Sequence, residues 1–240
     1  MKIIIPGGTG QVGSVLARAL TRDHHEVVVL GRHPRPAPWR VVQWDPTHVT
    51  GWAEELDGAD VVINLAGRSV NCRYTPANRD EILRSRVLSV RTVGQAITAA
   101  RRPPRVWLQA STATIYAHRY DGANDETSGV VGGTEPGAPD TWRFSIEVAT
   151  AWESALDEAA TPGTRKVKLR SAMIMSPDPG GDIRHVTGTR SPRSRRNGRQ
   201  RSPVCLLDPR SRFCPSHLPD NTARSLRRCR QSGGTASTAE

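Results

Sequence analysis

Apolar positions fall into two alternating spacings over the first 180 residues. Residues 2–5, 26–30, 39–44, 60–65, 106–110 and 166–171 are short segments of strand length, those at 2–5 and 26–30 being nearly unbroken apolar runs. Between them apolar residues recur every three or four positions. Val12, Val15, Leu16, Ala19 and Leu20 form one such stripe. Pro76 opens a longer helix to about Ala100, stopped by Pro103-Pro104, and residues 142–158 form another. Residues 50–56 read as a short helix, and a polar, Gly-rich loop covers about 117–140. Strands alternating with crossover helices predict an α/β fold, a Rossmann-like doubly wound parallel sheet.

The pattern stops near residues 180–182, and composition changes there. Residues 1–180 carry 21 Lys and Arg against 19 Asp and Glu, whereas residues 181–240 carry 13 Arg, no Lys and 4 acids. The net charge of +11 invites a nucleic-acid reading, but almost all of it sits in the last quarter. All six Trp and all three Tyr precede residue 181. A segment so poor in apolar side chains cannot offset its ordering entropy by burial. We therefore expect a nucleotide-binding domain over residues 1–181 and a largely disordered Arg/Pro/Ser-rich tail over 182–240. No apolar run approaches the roughly 18 residues of a membrane span, and nothing resembling a secretory leader precedes the first strand. The four cysteines lack regular spacing. These features point to the cytoplasm and away from membranes, a disulfide scaffold or a metal module.

The first turn carries the chemistry. Pro6-Gly7-Gly8-Thr9-Gly10-Gln11-Val12-Gly13 follows a strand and opens a helix, with Gly7, Gly10 and Gly13 at three-residue intervals. Small residues let the backbone approach a pyrophosphate, and the helix N-terminus offers free N–H donors. A surface turn also uses glycines, but strand before, helix after and a second strand by residue 26 favour dinucleotide binding. About 20 residues past the loop, where a carboxylate would bind a ribose 2′-hydroxyl, the chain reads Leu30-Gly31-Arg32-His33. A guanidinium there suits a 2′-phosphate, so NADP is favoured over NAD.

These residues, with Asn64-Leu65-Ala66-Gly67 and Ser111-Thr112-Ala113-Thr114-Ile115-Tyr116, resemble an extended short-chain dehydrogenase/reductase. Trp142-Arg143-Phe144-Ser145-Ile146, Ala151-Trp152-Glu153 and Leu169-Arg170-Ser171-Ala172 narrow the resemblance to the atypical epimerase family proteins, over about residues 1–182. The resemblance implies that Gly7, Thr9, Gly10, Gln11, Val12 and Gly13 cradle the cofactor. It implies Arg32 at the 2′-phosphate, Asp45 near the adenine, and Ala66 and Gly67 along the far side. Thr112 occupies the family's catalytic Ser/Thr position beside Ser111, where a hydroxyl can bind a substrate carbonyl or alcohol during hydride transfer. Strand-end capping is the plainer reading of both hydroxyls.

One departure stands out. Short-chain dehydrogenases pair Tyr with Lys four residues on, in the helix after the fifth strand. Here Lys occurs only at 2, 166 and 168, and that helix offers Phe144 or Ser145 and Val148 or Ala149. A tyrosine without a charge partner is a poor base at neutral pH. Tyr116 is the substitute acid to consider, with Arg143 as its cation, although packing also explains a Tyr there. The expected protein is an NADP(H)-binding epimerase-like oxidoreductase of unknown small-molecule substrate. A non-catalytic NADP-binding sensor or scaffold and a Rossmann module with an RNA-binding tail are the alternatives.

Relatives continue after the sixth strand with substrate-domain elements, and this chain does not. A phosphate-binding arm is one explanation, whereas Cys205, Cys214, His217 and Cys229 match no zinc module. A frameshift is the reading we prefer. Back-translated codons for residues 189–210, read one base later, allow a Gly-rich turn and then G-R-Q-F-V-S-W-I-H, similar to the family's next segment. The first 180 residues would then expose apolar surface meant for the missing half, with marginal stability, weakened cofactor binding and no turnover expected.

Overall fold

Two strands, β1 (Lys2–Pro6) and β2 (Glu26–Gly31), are buried on both faces, which explains their unbroken apolar runs. They belong to a parallel six-stranded sheet in the order β3-β2-β1-β4-β5-β6. The remaining strands are β3 (Arg40–Gln43), β4 (Val61–Asn64), β5 (Val106–Thr112) and β6 (Arg165–Ser171). The computed structural model describes residues 1–119, 122–137 and 139–174. The expected tail of residues 182–240 lies outside them.

Alternation along β1 sorts the two faces. Ile3 and Ile5 pack with Val27, Val29 and Ile63 under Ala17, Leu16 and Leu20 of α1 (Gln11–Arg22). Ile4 points the other way, with Val28, Val62 and Trp107, and meets Val90, Val93 and Ile97 of α2 (Pro76–Ala99) and Trp152 and Leu156 of α3 (Asp140–Glu158). Helices on both faces make the sheet doubly wound, as the alternation predicted. Thr75 caps α2 by accepting a hydrogen bond from the Asn78 amide, and Pro76 occupies the first turn, where no N–H is needed.

Two elements differ in detail. Residues 51–56 form a 3₁₀ helix rather than an α-helix, held by Trp52 and Leu56 in the core. The polar loop after β5 is not structureless. Tyr116 bridges Val131, and the Ala117 and Gly132 amides donate to the Val130 and Ile115 carbonyls. Val130, Val131, Met173 and Ile174 are exposed. No helix among the described residues is long and apolar enough to cross a membrane.

Candidate functional site

The strand order reverses between β1 and β4, and ligands of such sheets bind outside the strand ends at that point. The turn after β1 and the turn after β4 meet there. Gly7 takes φ +73°, and a Cβ on it would lie 2.6 Å from the Ala66 Cα. Gly13 packs α1 onto the loop so closely that a Cβ would come 2.3 Å from the Gly8 Cα. Both positions therefore require glycine. Helix α1 begins with Gly10 as its N-cap, has no side-chain cap and carries no acid in its first turn. Its N-terminus is left with amide donors and positive dipole character.

A cleft of about 260 Å³ lies in front of this turn, lined by Gly7, Thr9 and Gly10, by Gly31 and Arg32, by Trp44 and Pro46, and by residues 65–68 with Glu81 and Ser85. Arg32 is exposed and makes no hydrogen bond or ion pair among the described residues. Gln11 Nε2 is buried without a hydrogen-bond partner. An uncapped helix start and a free guanidinium in one cleft, with an orphan amide on the first residue of that helix, fit an anionic dinucleotide.

The far wall is built from buried amides. Asn64 Nδ2 donates to Gln109 Oε1 at 3.0 Å, and Asn64 Oδ1 accepts the Ala66 amide at 3.1 Å, which aims residues 66 and 67 at the cleft. The Arg68 amide donates to Ser85 Oγ at 2.9 Å, and the Arg68 guanidinium pairs with Glu81 and Asn78. Asp45 stands between cleft residues 44 and 46 but turns its carboxylate into its own turn. It accepts from the Thr47 amide (2.8 Å) and hydroxyl (2.5 Å) and meets His48 Nδ1 at 2.8 Å. The Thr47 and His48 hydrogen bonds hold its carboxyl down at about 2.

The three expected catalytic side chains separate. Ser111 is buried and donates to Glu153 Oε1 at 2.6 Å. Tyr116 is also buried, and its hydroxyl accepts from Arg170 Nη1 at 2.8 Å while the guanidinium lies 5.0 Å from its ring centroid. Thr112 is half-buried, with its hydroxyl 2.8 Å from that of Thr114 and accepting the Thr114 amide. The cation beside Tyr116 is thus Arg170, not Arg143, whose guanidinium pairs with Asp140 one helical turn away. None of the three lines the cleft in front of the glycine turn.

Glu153 and Arg170 organise that region. Arg170 donates Nε and Nη2 to the two oxygens of Glu153, at 2.8 and 2.7 Å. Lys168 stands 3.7 Å from the same carboxylate. Burial pushes the Glu153 carboxyl up, but hydrogen bonds from Arg170 and Ser111, with the Arg170 and Lys168 charges, hold it below the usual carboxylate range. The pairing with Glu153 raises Arg170 in turn. The signal was in the sequence. Lys166, Lys168 and Arg170 alternate along β6, while Glu153 and Asp157 lie one turn apart on α3. Lys168 also meets Asp157, at 2.7 Å.

Comparison with known proteins agrees with this architecture. Residues 3–186 match the model of the NAD dependent epimerase/dehydratase family. Epimerase family protein SDR39U1 of Bos taurus is 31% identical over 191 residues, covering 78% of this chain and 58% of that protein. Epimerase family protein YfhF of Bacillus subtilis (strain 168) is 32% identical over 178 residues, covering 73% and 55%. The crystal structure of human SDR39U1 (isoform2) with NADPH superposes with a TM-score of 0.64 at 27% identity, covering 78% of this chain and 58% of that one. The chain thus spans just over half the length of these relatives. With its parallel sheet, glycine turn and cleft at the point of strand reversal, this chain belongs to the NAD dependent epimerase/dehydratase family.

Proposed function

We propose that this chain binds NADP(H) and serves an epimerase-like oxidoreductase acting on a small molecule in the cytoplasm. The observation that carries this reading is the unpaired, exposed Arg32 in the cleft, with no carboxylate in residues 30–33 to take a 2′-hydroxyl. A guanidinium forms paired charge-assisted hydrogen bonds with a phosphate and repays nothing to a bare ribose. That a human relative was crystallised with NADPH supports the same choice.

In this reading Gly7, Thr9, Gly10, Gln11, Val12 and Gly13 hold the pyrophosphate, and Ala66 and Gly67 hold the cofactor's far half. Asp45 contributes by shaping the turn between Trp44 and Pro46, not by offering its carboxylate. When bound, the cofactor supplies hydride chemistry at a carbon–oxygen centre. Thr112 orients the substrate oxygen. Ser111 and Tyr116 are joined through the Glu153–Arg170 pair, which fixes the end of β5 that carries Thr112.

A second reading, a non-catalytic NADP-binding sensor or scaffold, is favoured by one observation. The Ser111 and Tyr116 hydroxyls already have charged partners, Glu153 and Arg170, and no lysine follows a tyrosine by four residues. Equilibrium titration of the full chain with NADPH and NADH tests the shared part. NADPH should bind at least tenfold more tightly, and equal affinities would overturn the assignment. A screen of carbonyl and alcohol substrates then separates the two readings, since turnover excludes the sensor.

A further inference from the structure

Arg86, half-buried on α2, has no carboxylate partner. Its Nη1 donates to the Arg68 carbonyl at 3.0 Å and the Ile82 carbonyl at 2.9 Å. Its Cζ lies 5.0 Å from the ring centroid of Trp152. Gly67, a cleft residue, rests against it so tightly that a Cβ there would lie 3.1 Å from both Cγ and Cζ. The Nε and Nη2 groups make no hydrogen bond among the described residues, and burial draws the pKa of the group down.

Arg170 shows what a comparable guanidinium does in this same fold. It presents its Nε–Nη2 edge to the two oxygens of Glu153. Arg68 also has a carboxylate, meeting Glu81 through Nη1 alone. Arg86 has the same planar edge with no protein carboxylate to meet it: its Cζ lies over the Trp152 ring, Nη1 is spent on two carbonyls, and Nε and Nη2 are left without a hydrogen-bond partner among the described residues. Arg86 is only half-buried, so its Nε–Nη2 edge is partly desolvated and can still be reached by a ligand.

Topology says where this edge sits. Asn64 pairs with Gln109 across β4 and β5. β4 ends at Asn64 and β5 at Thr112, so the turn that packs on Arg86 and the Thr112 hydroxyl both lie at the same, C-terminal, edge of adjacent parallel strands. The phosphates of a dinucleotide have other partners in the cleft, the α1 N-terminus and Arg32.

We propose that the Nε–Nη2 edge of Arg86 binds an oxyanion, a carboxylate or phosphate, carried by the substrate whose carbon–oxygen centre meets Thr112. The proposal rests on the assignment of the Thr112 end of the site to substrate. The class of molecule it selects is an anionic hydroxy or oxo compound. A neutral sugar or a hydrocarbon ketone would leave the cation unmatched.

The test titrates the full chain with inorganic phosphate, with and without saturating NADPH, and reads NADPH affinity separately. Wild type should bind phosphate whether or not NADPH is present. Arg86→Gln should weaken phosphate at least tenfold, and Arg86→Lys should lose part of the affinity too, because an ammonium keeps the charge but not the paired Nε–Nη2 donors. NADPH fills the phosphate positions at the glycine turn and Arg32, so the reading is the phosphate still bound at saturating NADPH; loss of all phosphate binding under that condition would assign the anion to the cofactor and overturn the proposal. Equal loss of phosphate and NADPH affinity in Arg86→Gln would overturn it too, since a merely structural Arg86 weakens both together. Should Arg86→Gln fail to fold, the Nε–H resonance of Arg86, assigned through Arg86→Lys, reads the same event in wild type. A phosphate-dependent shift supports the site and its absence refutes it. Absence of NADPH binding would sink the oxidoreductase reading while the phosphate titration still reports on Arg86.

Discussion

Replacing Glu153 with Gln should destabilise the folded chain by about 3 kcal/mol, the lower end of what removing one partner of a buried ion pair costs. Glu153 is only 5% exposed and accepts three hydrogen bonds, one from Ser111 and two from Arg170. An amide would turn its own N–H donors toward those of Arg170 and leave a guanidinium without charge compensation. The Arg170 side chain keeps 22% of its exposure, so water relieves part of the penalty and the lower end applies. Urea unfolding followed by tryptophan fluorescence measures the loss. With a slope of roughly 2 kcal/mol per molar, the midpoint should fall by about 1.5 M. The double variant Glu153→Met/Arg170→Met removes both charges and should lose less than Glu153→Gln alone. The pH dependence follows from the same pair. The Glu153 carboxyl is held below its ordinary 4.5 in the folded chain, so its contribution is complete above that pH. It is lost as pH falls through the folded value, and the gap between wild type and variant should close on acidification. A loss under 1 kcal/mol, an additive double variant, or a gap that survives in acid would refute the buried-pair argument.

Arg32→Ala should weaken NADPH by roughly 10- to 100-fold, the worth of a charge-assisted pair, and barely change NADH. Parallel titrations check it, and an equal loss for both nucleotides would remove Arg32 from the 2′-phosphate. Gly13→Ala should cost about 1–3 kcal/mol, because its Cβ meets the Gly8 backbone rather than a movable side chain. A thermal melt reads this, and a wild-type melting temperature would contradict the close approach. Once a substrate is found, Thr112→Val should lower kcat at least tenfold with NADPH affinity intact. A change in NADPH affinity alone would reassign Thr112 to cofactor binding. Resequencing codons 175–240 should reveal a gained or lost base. Mass-spectrometric detection of native peptides from residues 190–210 would instead establish the Arg-rich frame as genuine.

Much of the site was legible because its chemistry is local. Glycines at 7, 10 and 13, the missing acid after β2 and the small residues after β4 are each read within a few positions; Gly7, Gly10, Arg32, Ala66 and Gly67 line one cleft, while Gly13 packs α1 on Gly8. Asp45 and Tyr116 were harder to read. The partners of the Asp45 carboxylate are Thr47 and His48, a turn whose geometry no residue type announces. Tyr116 was expected beside Arg143 on sequence motif alone, whereas its cation arrives from β6, 54 residues away.

The sequence by itself determined the alternation of strands and helices, the glycine turn and the absence of a tyrosine–lysine pair. These depend on period, backbone freedom and residue identity, which are properties of short segments. Only the tertiary structure decided which charges meet. Glu153 reaches Ser111 and Arg170 because β5 and β6 lie side by side beneath α3. Arg86 is left without a carboxylate because Gly67 and Trp152 close around it. Electrostatic pairing depends on distance through space and on exclusion of water, and packing sets both.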